Sequence, residues 1–400
     1  MTMNKGYDIC IVGGCGHVGL PLGLAFANRA QRVILYDTNQ KAVDKVNKKE
    51  MPFLERGSRE VLLKVVDSQL LFASTDITVI SQAPHIILTT ATPVDEHLNP
   101  RVHDIMDVVK HMLPFLRDEQ LIILRSTLYP GTSQILYNYL RSQGKKSGVA
   151  YCPERTAQGF VLEELGSLPQ IVSGFDPKAV EKAKKLFTIL TQDIVELSPI
   201  EAELAKLFTN TWRYINFAIS NQFYMIANSY GLDFYKIYNG MVKNYPRLQG
   251  FARAGFAAGP CLFKDTIQLS AFTNNRFFLG HVAMLINEGL PIFIVEQLKS
   301  KLPLKEKIVG ILGMAFKADN DDPRESLSYK LKKILEVEAK EVICSDVYIS
   351  EPGFVNPEVL IDRADIIIVG APHREYKSLD LKNKYFVDIW NFFGKGGKIV

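Results

Sequence analysis

Residues 8–37 confine the start of this chain to one kind of architecture. Asp8-Ile-Cys-Ile-Val12 is a short apolar run, and Gly13-Gly-Cys-Gly-His-Val-Gly19 follows at once. A helix-compatible stretch then covers Leu20 to Arg29, and Arg32-Val-Ile-Leu-Tyr36 is a second apolar run ending at Asp37. Strand, glycine turn, helix and strand in this order predict a βαβ unit at the head of a parallel sheet. In that setting Gly14 permits the tight turn, Gly16 lets a pyrophosphate approach the backbone, and Gly19 packs helix against strand. The turn residues His17 and Val18 lead into helix N–H groups that face phosphate. Asp37 stands 18 positions after Gly19, where a carboxylate accepts ribose hydroxyls, so the expected cofactor is NAD and not NADP.

The alternation continues. His85 to Thr90, Leu121 to Leu124 and Gly148 to Cys152 are further strand candidates with helical material between them, the pattern of a doubly wound sheet. Ligands in such sheets lie beyond the carboxyl ends of the strands. The loops Thr89–Pro93, Ser126–Thr132 and Pro153–Arg155 are therefore candidate site walls. From Pro199 the character changes: Ile200 to Asn228 contains neither proline nor glycine, which predicts a long helix able to join domains and to pair with its copy in a homodimer. Lys206 and Asn210, four apart, share one face of it. After Leu304 the N-terminal layout is repeated by Lys307–Gly313, Val342–Asp346, Asp365–Gly370 and Tyr385–Asp388. The turn after the first of these, Gly313-Met-Ala-Phe-Lys317, lacks the dinucleotide fingerprint, so no second NAD is expected there. The expected fold class is α/β, with two Rossmann-like doubly wound domains joined by a long central helix and a small helical domain. The expected boundaries are 1–198, 199–300 and 301–400.

Charge and cysteine usage exclude several classes. The formal charge is +4, and basic clusters such as Lys184-Lys185 and Lys330-Leu-Lys332-Lys333 are short and scattered, so no nucleic-acid partner is expected. Cys10, Cys15, Cys152, Cys261 and Cys344 are odd in number and far apart, which argues against a disulfide framework or a zinc cluster and for a reducing cytoplasm. No apolar run of about 20 residues is expected, and hence no membrane span.

One cysteine has different surroundings. In Gly255-Phe-Ala-Ala-Gly-Pro-Cys261-Leu-Phe-Lys264-Asp265 the thiol stands between small residues and a lysine-aspartate pair. A nicotinamide cofactor alone takes an alcohol to an aldehyde. A thiolate at the same site adds to that aldehyde, presents a second hydride and leaves a thioester that water cleaves. Two hydrides and an acid product are the implied chemistry. The other four cysteines fall in or beside strands and glycine turns, as small packing residues do.

Seven blocks in order resemble the UDP-glucose/GDP-mannose dehydrogenase family, whose members oxidise C6 of a nucleotide-bound hexose to a carboxylate with two NAD. They are Gly14 to Pro21, Thr92-Pro93, Ser126-Thr127 with Pro130-Gly-Thr132, Pro153-Glu154-Arg155, Ala202 to Lys206 with Asn210, Cys261 with Lys264-Asp265, and Phe316-Lys317 with Asp321 to Ser326. The resemblance implies Cys261 as nucleophile, Lys206 and Asn210 as the pair that binds the C6 oxygen, and Asp265 as holder of a catalytic water, with Thr127 on the facing loop. It implies Glu154 as the glutamate of thioester formation and hydrolysis, a proton-transfer task for which burial would raise its pKa. Thr92, Thr127 and Lys264 are implied at the cofactor. Glu154, Arg155, Lys206, Asn210, Gly259, Phe316, Lys317 and Arg324 are implied at a UDP-sugar substrate, with Arg247 or Arg253 as further contacts.

Departures from the family pattern bear on the substrate. Gln158 stands where members acting on glucose commonly carry a second glutamate, and Asp321-Asp322-Pro-Arg-Glu-Ser326 is more like the branch acting on UDP-N-acetylhexosamines. Lys264-Asp265 is more like the glucose branch. Ala258 and Gln222 replace common residues without removing a reacting group. Two alternatives stay open: a single-step hydroxyacid dehydrogenase of the 6-phosphogluconate type, which needs neither Cys261 nor a second nucleotide-binding domain, and an inactive NAD-binding regulatory protein.

Overall fold

The computed structural model describes residues 6–92, 94–95 and 99–399. Pro93, part of the Thr92-Pro93 block, lies outside them. The chain divides into two compact units, 1–208 and 209–400.

The first unit contains β1 (Ile9–Val12), α1 (Gly19–Ala27), β2 (Val33–Tyr36), α2 (Gln40–Asn47), α3 (Ser58–Asp67), β3 (Leu71–Ser74), β4 (His85–Leu88), α4 (Val102–Met112), β5 (Leu121–Leu124), α5 (Thr132–Ser142), β6 (Gly148–Tyr151), α6 (Val161–Glu164), β7 (Gln170–Gly174), α7 (Pro177–Phe187) and β8 (Ile194–Glu196). These strands form one sheet in the order β3-β2-β1-β4-β5-β6-β7-β8, parallel except where β7 runs against β6. The apolar runs noted in the sequence are the central strands. Both of their faces are covered: Ile9 and Ile11 enter one core, Cys10 and Val12 the other. That is why these strands are continuously hydrophobic and not alternating. Three strands, β3, β7 and β8, were not anticipated.

Helix α8 (Pro199–Ser229) carries the chain from the first unit into the second over 31 residues, as the absence of glycine and proline predicted. The second unit continues with α9 (Phe234–Val242), α10 (Leu262–Phe272), α11 (Phe278–Lys299), β9 (Ile308–Leu312), α12 (Leu327–Glu338), β10 (Glu341–Ser345), α13 (Pro357–Arg363), β11 (Ile366–Val369) and β12 (Tyr385–Val387). Its four strands form a parallel sheet in the order β10-β9-β11-β12. Tyr224 of α8, Phe234 of α9 and Leu290 and Ile294 of α11 are fully buried in one core with Val309 and Ile311 of β9, each worth about 1.5–3 kcal/mol of burial. Two Rossmann-like sheets and a long central helix are thus present.

Helix α11 corrects one expectation. By length and composition it could cross a membrane, although no such run was anticipated. Its apolar character has a local use: Ala283, Leu290, Ile294, Val295 and Leu298 are buried in the cores of the second unit.

Candidate active site

The first unit builds a dinucleotide cradle at the carboxyl ends of β1 and β2. A Cβ on Gly14 would lie 2.7 Å from the Ile11 carbonyl oxygen and from Leu35 Cβ, and one on Gly19 would lie 2.5 Å from the Gly13 oxygen. The turn and the helix contact therefore require the missing side chains. At Gly16 nothing protein-derived is closer than 3.5 Å. Its side chain is absent without internal packing to demand it, which leaves backbone open to a pyrophosphate. Asp37 follows β2 directly, its Oδ2 accepting the Cys15 N–H at 3.0 Å and its Oδ1 the Asn39 N–H at 3.0 Å. Each oxygen keeps acceptor capacity for a ribose. His17 lies against Phe53 with ring centroids 4.0 Å apart, and its Nδ1 is 3.1 Å from Gln158 Nε2. Val18 is the residue before α1. The donor set and the open Gly16 backbone fit NAD.

The neighbouring loops are tied to each other. Thr92 Oγ1 donates to the Thr127 carbonyl at 2.6 Å, and Ser126 Oγ to that of Thr90 at 2.5 Å. Glu203, fully buried, accepts the N–H groups of Gly131 and Ser133 at 2.6 and 2.8 Å, capping α5 with a charge. Burial nevertheless holds its pKa above the ordinary value, the two backbone bonds offsetting this only in part. Its role was not recognised in the sequence, where Glu203 is only the residue one turn before Lys206. Lys206 itself is buried at 8% exposure, on the same helix as Asn210 and one turn earlier.

Glu154 departs from expectation. Burial does push its carboxyl up, but the Arg125 guanidinium and four hydrogen bonds outweigh that, and its pKa lies below the ordinary value. Arg125, 1% exposed, donates to Glu154 Oε2 from Nε at 2.9 Å and from Nη2 at 2.6 Å. Glu154 Oε1 accepts the N–H groups of Arg155 and Thr156 at 2.8 and 2.9 Å. Sequence showed a glutamate destined for burial; it could not show a counter-ion 29 residues away. Arg155 directs its guanidinium to the Pro169 carbonyl.

The second unit builds the thiol site. Burial pushes the Cys15 and Cys152 thiols up to about 12 and Cys344 to about 11, and it raises Cys10 as well. Cys261 alone of the five is exposed. It is the N-cap residue of α10, where the helix dipole favours a thiolate. One turn into α10, Asp265 is fully buried: Oδ2 accepts from Asn210 Nδ2 at 2.6 Å, while Oδ1 lies 3.0 Å from Lys264 Nζ as an ion pair but accepts no hydrogen bond among the described residues. Asn210, Lys264 and Asp265 are thus joined at the base of the thiol.

Aromatic rings support the loop before Cys261. Gly255 lies against Trp390, whose ring a Cβ would meet at 2.2 Å, and Gly259 (φ +100°) lies against Phe316, met at 2.5 Å. Asn221 grips Gly255 twice, accepting its N–H at 2.9 Å and donating to its carbonyl at 3.0 Å. Neither Trp390 nor Asn221 was singled out from sequence, since both act only through distant packing. Arg324 spends its Nε–Nη2 edge on Asp322, at 2.8 and 2.6 Å. The fork expected for a diphosphate is therefore half used, and Nη1 is the end left to a ligand. The Asp322 hydrogen bond raises the Arg324 pKa, and Cys261 adds to it, so this cation lies within the field of the thiol. Lys317 Nζ is 5.7 Å from the Phe316 ring. Arg247 and Arg253 are exposed, the first 5.6 Å over the Tyr245 ring.

Comparison with known proteins covers nearly the whole chain. The models of the UDP-glucose/GDP-mannose dehydrogenase family match residues 7–191 (NAD binding domain), 200–287 (central domain) and 310–395 (UDP binding domain). The UDP-N-acetyl-D-mannosamine dehydrogenase of Methanocaldococcus jannaschii is 29% identical over 98% of this chain and 93% of its own. The NDP-N-acetyl-D-galactosaminuronic acid dehydrogenase of Ralstonia nicotianae is 26% identical over 96% and 97%. Among solved structures, the UDP-D-ManNAc dehydrogenase of Pyrococcus horikoshii superposes with a TM-score of 0.88 at 27% identity, covering 95% of this chain and 94% of its own. The UDP-glucose dehydrogenase of Pyrobaculum islandicum shares the fold, with a TM-score of 0.87 at 22% identity and coverage of 97% and 95%.

Proposed function

Since this chain belongs to the UDP-glucose/GDP-mannose dehydrogenase family and is an NAD-dependent nucleotide-sugar dehydrogenase, we propose that it oxidises C6 of a UDP-N-acetylhexosamine to the UDP-uronic acid on Cys261. The observation that carries this reading is the contrast among the thiols: four are buried and raised, while Cys261 is exposed on a helix N-terminus beside Asn210, Lys264 and Asp265.

Bound NAD supplies the hydride acceptor, one molecule for each two-electron step. Gly14, Gly16, His17, Val18, Gly19 and Asp37 hold it, with Thr92, Thr127 and Lys264 as further contacts. Cys261 Sγ adds to the C6 aldehyde carbon, forming the C–S bond while the carbonyl oxygen takes a proton. Loss of the second hydride and of the hydroxyl proton from that thiohemiacetal leaves a thioester. Water then breaks the C–S bond, returning the thiol and releasing the carboxylate. Lys206 and Asn210 stabilise the negative oxygen of the tetrahedral species, and Asp265 orders the water. Lys317, Arg324 and Phe316 take the nucleotide diphosphate and sugar, with Gly259, Arg155, Arg247 and Arg253 as further contacts. Glu154, held ionised by Arg125, contributes a fixed negative charge.

An N-acetylated hexosamine of the mannosamine kind is favoured over glucose by the relatives named above, by Gln158 and by the Asp321–Ser326 block. Lys264-Asp265 is the feature pointing toward glucose. We further propose a homodimer formed through α8, where Trp212, Ile219, Phe223 and Ile226 form an exposed apolar stripe, and residence in the cytoplasm, where five cysteines outside any disulfide stay reduced. Functional sections of 1–198, 199–300 and 301–400 follow from the same reading.

A coupled assay over a panel of UDP- and GDP-sugars tests the function. Two NADH per sugar and an acid product are expected, fastest with a UDP-N-acetylhexosamine. One NADH with an aldehyde or ketone product sinks the four-electron reading in favour of a single-step dehydrogenase. Binding of UDP-sugar without turnover under excess NAD supports an inactive regulatory protein.

A further inference from the structure

The second sheet repeats the acidic residue of the first but uses it differently. Asp346 follows β10 as Asp37 follows β2, and it too faces the glycine turn after its neighbouring strand. Asp37 leaves capacity for a ligand. Asp346 is spent on the protein: Oδ2 accepts the N–H groups of Met314 and Ala315 at 2.6 and 3.1 Å and faces His373 Nε2 at 3.1 Å, while Oδ1 accepts those of Tyr348 and Ile349 at 2.7 and 3.0 Å. This carboxylate is not available to a ribose. It holds the start of the loop 313–322.

The same loop has a second anchor. His373 is fully buried, and its Nδ1 accepts the backbone N–H of Asp319 at 2.9 Å. A backbone amide can only donate, so Nδ1 must present a lone pair and Nε2 must carry the hydrogen directed to Asp346. The ring is thus fixed as the neutral Nε2–H tautomer, bridging the two ends of a segment that contains Phe316 and Lys317. Phe316 is also the ring against which Gly259 rests, two residues before Cys261.

We propose that His373 is a positioning residue for nucleotide-sugar binding, and that as the neutral imidazole it fixes the loop of Phe316 and Lys317 and, through Phe316, the approach of the Cys261 loop. The proposal rests on the nucleotide-sugar reading given above. Protonation places an Nδ1–H against the Asp319 N–H and removes that anchor, while the bond to Asp346 persists. The groups facing the ring are Asp346 from the end of β10, Asp319 with its ion-pair partner Arg374, the rings of Tyr348 and Tyr376 edge-on at 4.9 and 5.3 Å, and Glu375 bonded to Tyr348. The Asp346 carboxyl is held below its ordinary value despite burial, because the hydrogen bonds from His373, Tyr348 and Met314 outweigh it. Imidazolium is therefore tolerated electrostatically, and the loss falls on the loop.

The test compares His373→Phe and His373→Asn with the wild type, using UDP-N-acetylglucosamine as binding probe because its diphosphate has no group titrating near neutrality. His373→Phe loses both bonds and is expected to weaken probe binding about tenfold, with NAD affinity unchanged. His373→Asn keeps an acceptor at the δ position and a donor beside it, cannot protonate, and should restore most of the affinity. Wild-type affinity should fall on acidification, because a protonated Nδ1 cannot accept from Asp319, and the Asn variant should lose that dependence. Should the Phe variant fail to fold, the Asn variant and the wild-type pH profile still decide. Equal affinity in all three proteins, or identical pH profiles for wild type and Asn variant, overturns the proposal. Absence of probe, UDP or UDP-sugar binding to the wild type overturns the nucleotide-sugar reading instead.

Discussion

Arg125 Nη2 lies 2.6 Å from Glu154 Oε2, with both side chains withdrawn from solvent, the arginine to 1% and the glutamate to 12% exposure. This contact decides what Glu154 can do. Its two oxygens accept four hydrogen bonds from donors that cannot reverse direction, so the carboxylate is committed to the ionised state. A buried pair of this kind costs desolvation to assemble, and it becomes a severe defect once either partner is removed.

Arg125→Met is therefore expected to destabilise the first unit by about 3–5 kcal/mol at neutral pH. The pH dependence identifies the cause. In the wild type the Glu154 pKa lies below its ordinary value, so its contribution is present above that ordinary value and is lost as pH falls through the lowered folded one. Without Arg125, burial is opposed only by the Arg155 and Thr156 N–H groups and the folded pKa rises, so the variant loses stability as pH climbs above the ordinary carboxylate range. The deficit should thus be largest near neutrality and shrink in acid. Melting curves across pH check this, and a pH-independent deficit would exclude an uncompensated Glu154 charge as the cause.

Cys261→Ser should lower turnover roughly a thousandfold or more while leaving NAD affinity intact, because the hydroxyl is a far weaker nucleophile at neutral pH. A stalled or slowly cleaved adduct on the enzyme is expected by intact-protein mass spectrometry. Acid formation at the wild-type rate would remove Cys261 from the chemistry.

The sequence disclosed those parts of the molecule whose roles are local. Residues 8–37 gave strand, turn, helix and acid because each glycine acts on neighbours a few positions away, and Gly14, Gly16 and Gly19 have the three separate surroundings that the turn requires. Cys261 was legible for a similar reason: small residues, thiol, lysine and aspartate lie within one turn of a helix start. Arg125, Glu203, Asn221 and His373 were not legible. Their partners are 29, 70, 34 and 54 residues away, and nothing in the local pattern distinguishes them from other polar residues. Strand β7 was missed because Gln170-Ile-Val-Ser-Gly174 mixes polar and apolar residues; its Gln170 is buried only because it donates to the Pro153 and Ile171 carbonyls and accepts from Arg125.

Asp37→Ala should weaken NAD about ten- to a hundredfold, the usual loss for charge-assisted hydrogen bonds. Part of the effect acts through the turn itself, since the Cys15 N–H loses its acceptor. UDP-sugar affinity should not change, because Asp37 belongs to the first unit's cradle. Separate calorimetric titrations of the two ligands check this, and loss of sugar binding with NAD unchanged would reverse the assignment.

Gly259→Ala tests the support under the nucleophile. Gly259 has φ +100°, and an added Cβ would approach Phe316 Cδ2 to 2.5 Å, so the substitution carries both a backbone strain and a collision with a ring. A destabilisation of about 1–3 kcal/mol is expected from crowding of this kind. Activity should fall further than stability, because the Gly259 N–H donates to the Glu325 carbonyl at 3.2 Å and a shift here is passed along two residues to Cys261. Phe316→Ala removes the ring that the new methyl meets. In the double variant the steric part of the cost should disappear while the strain of the positive φ remains, giving less destabilisation than the sum of the single changes. Strict additivity would mean that Phe316 does not limit the position of the cysteine loop.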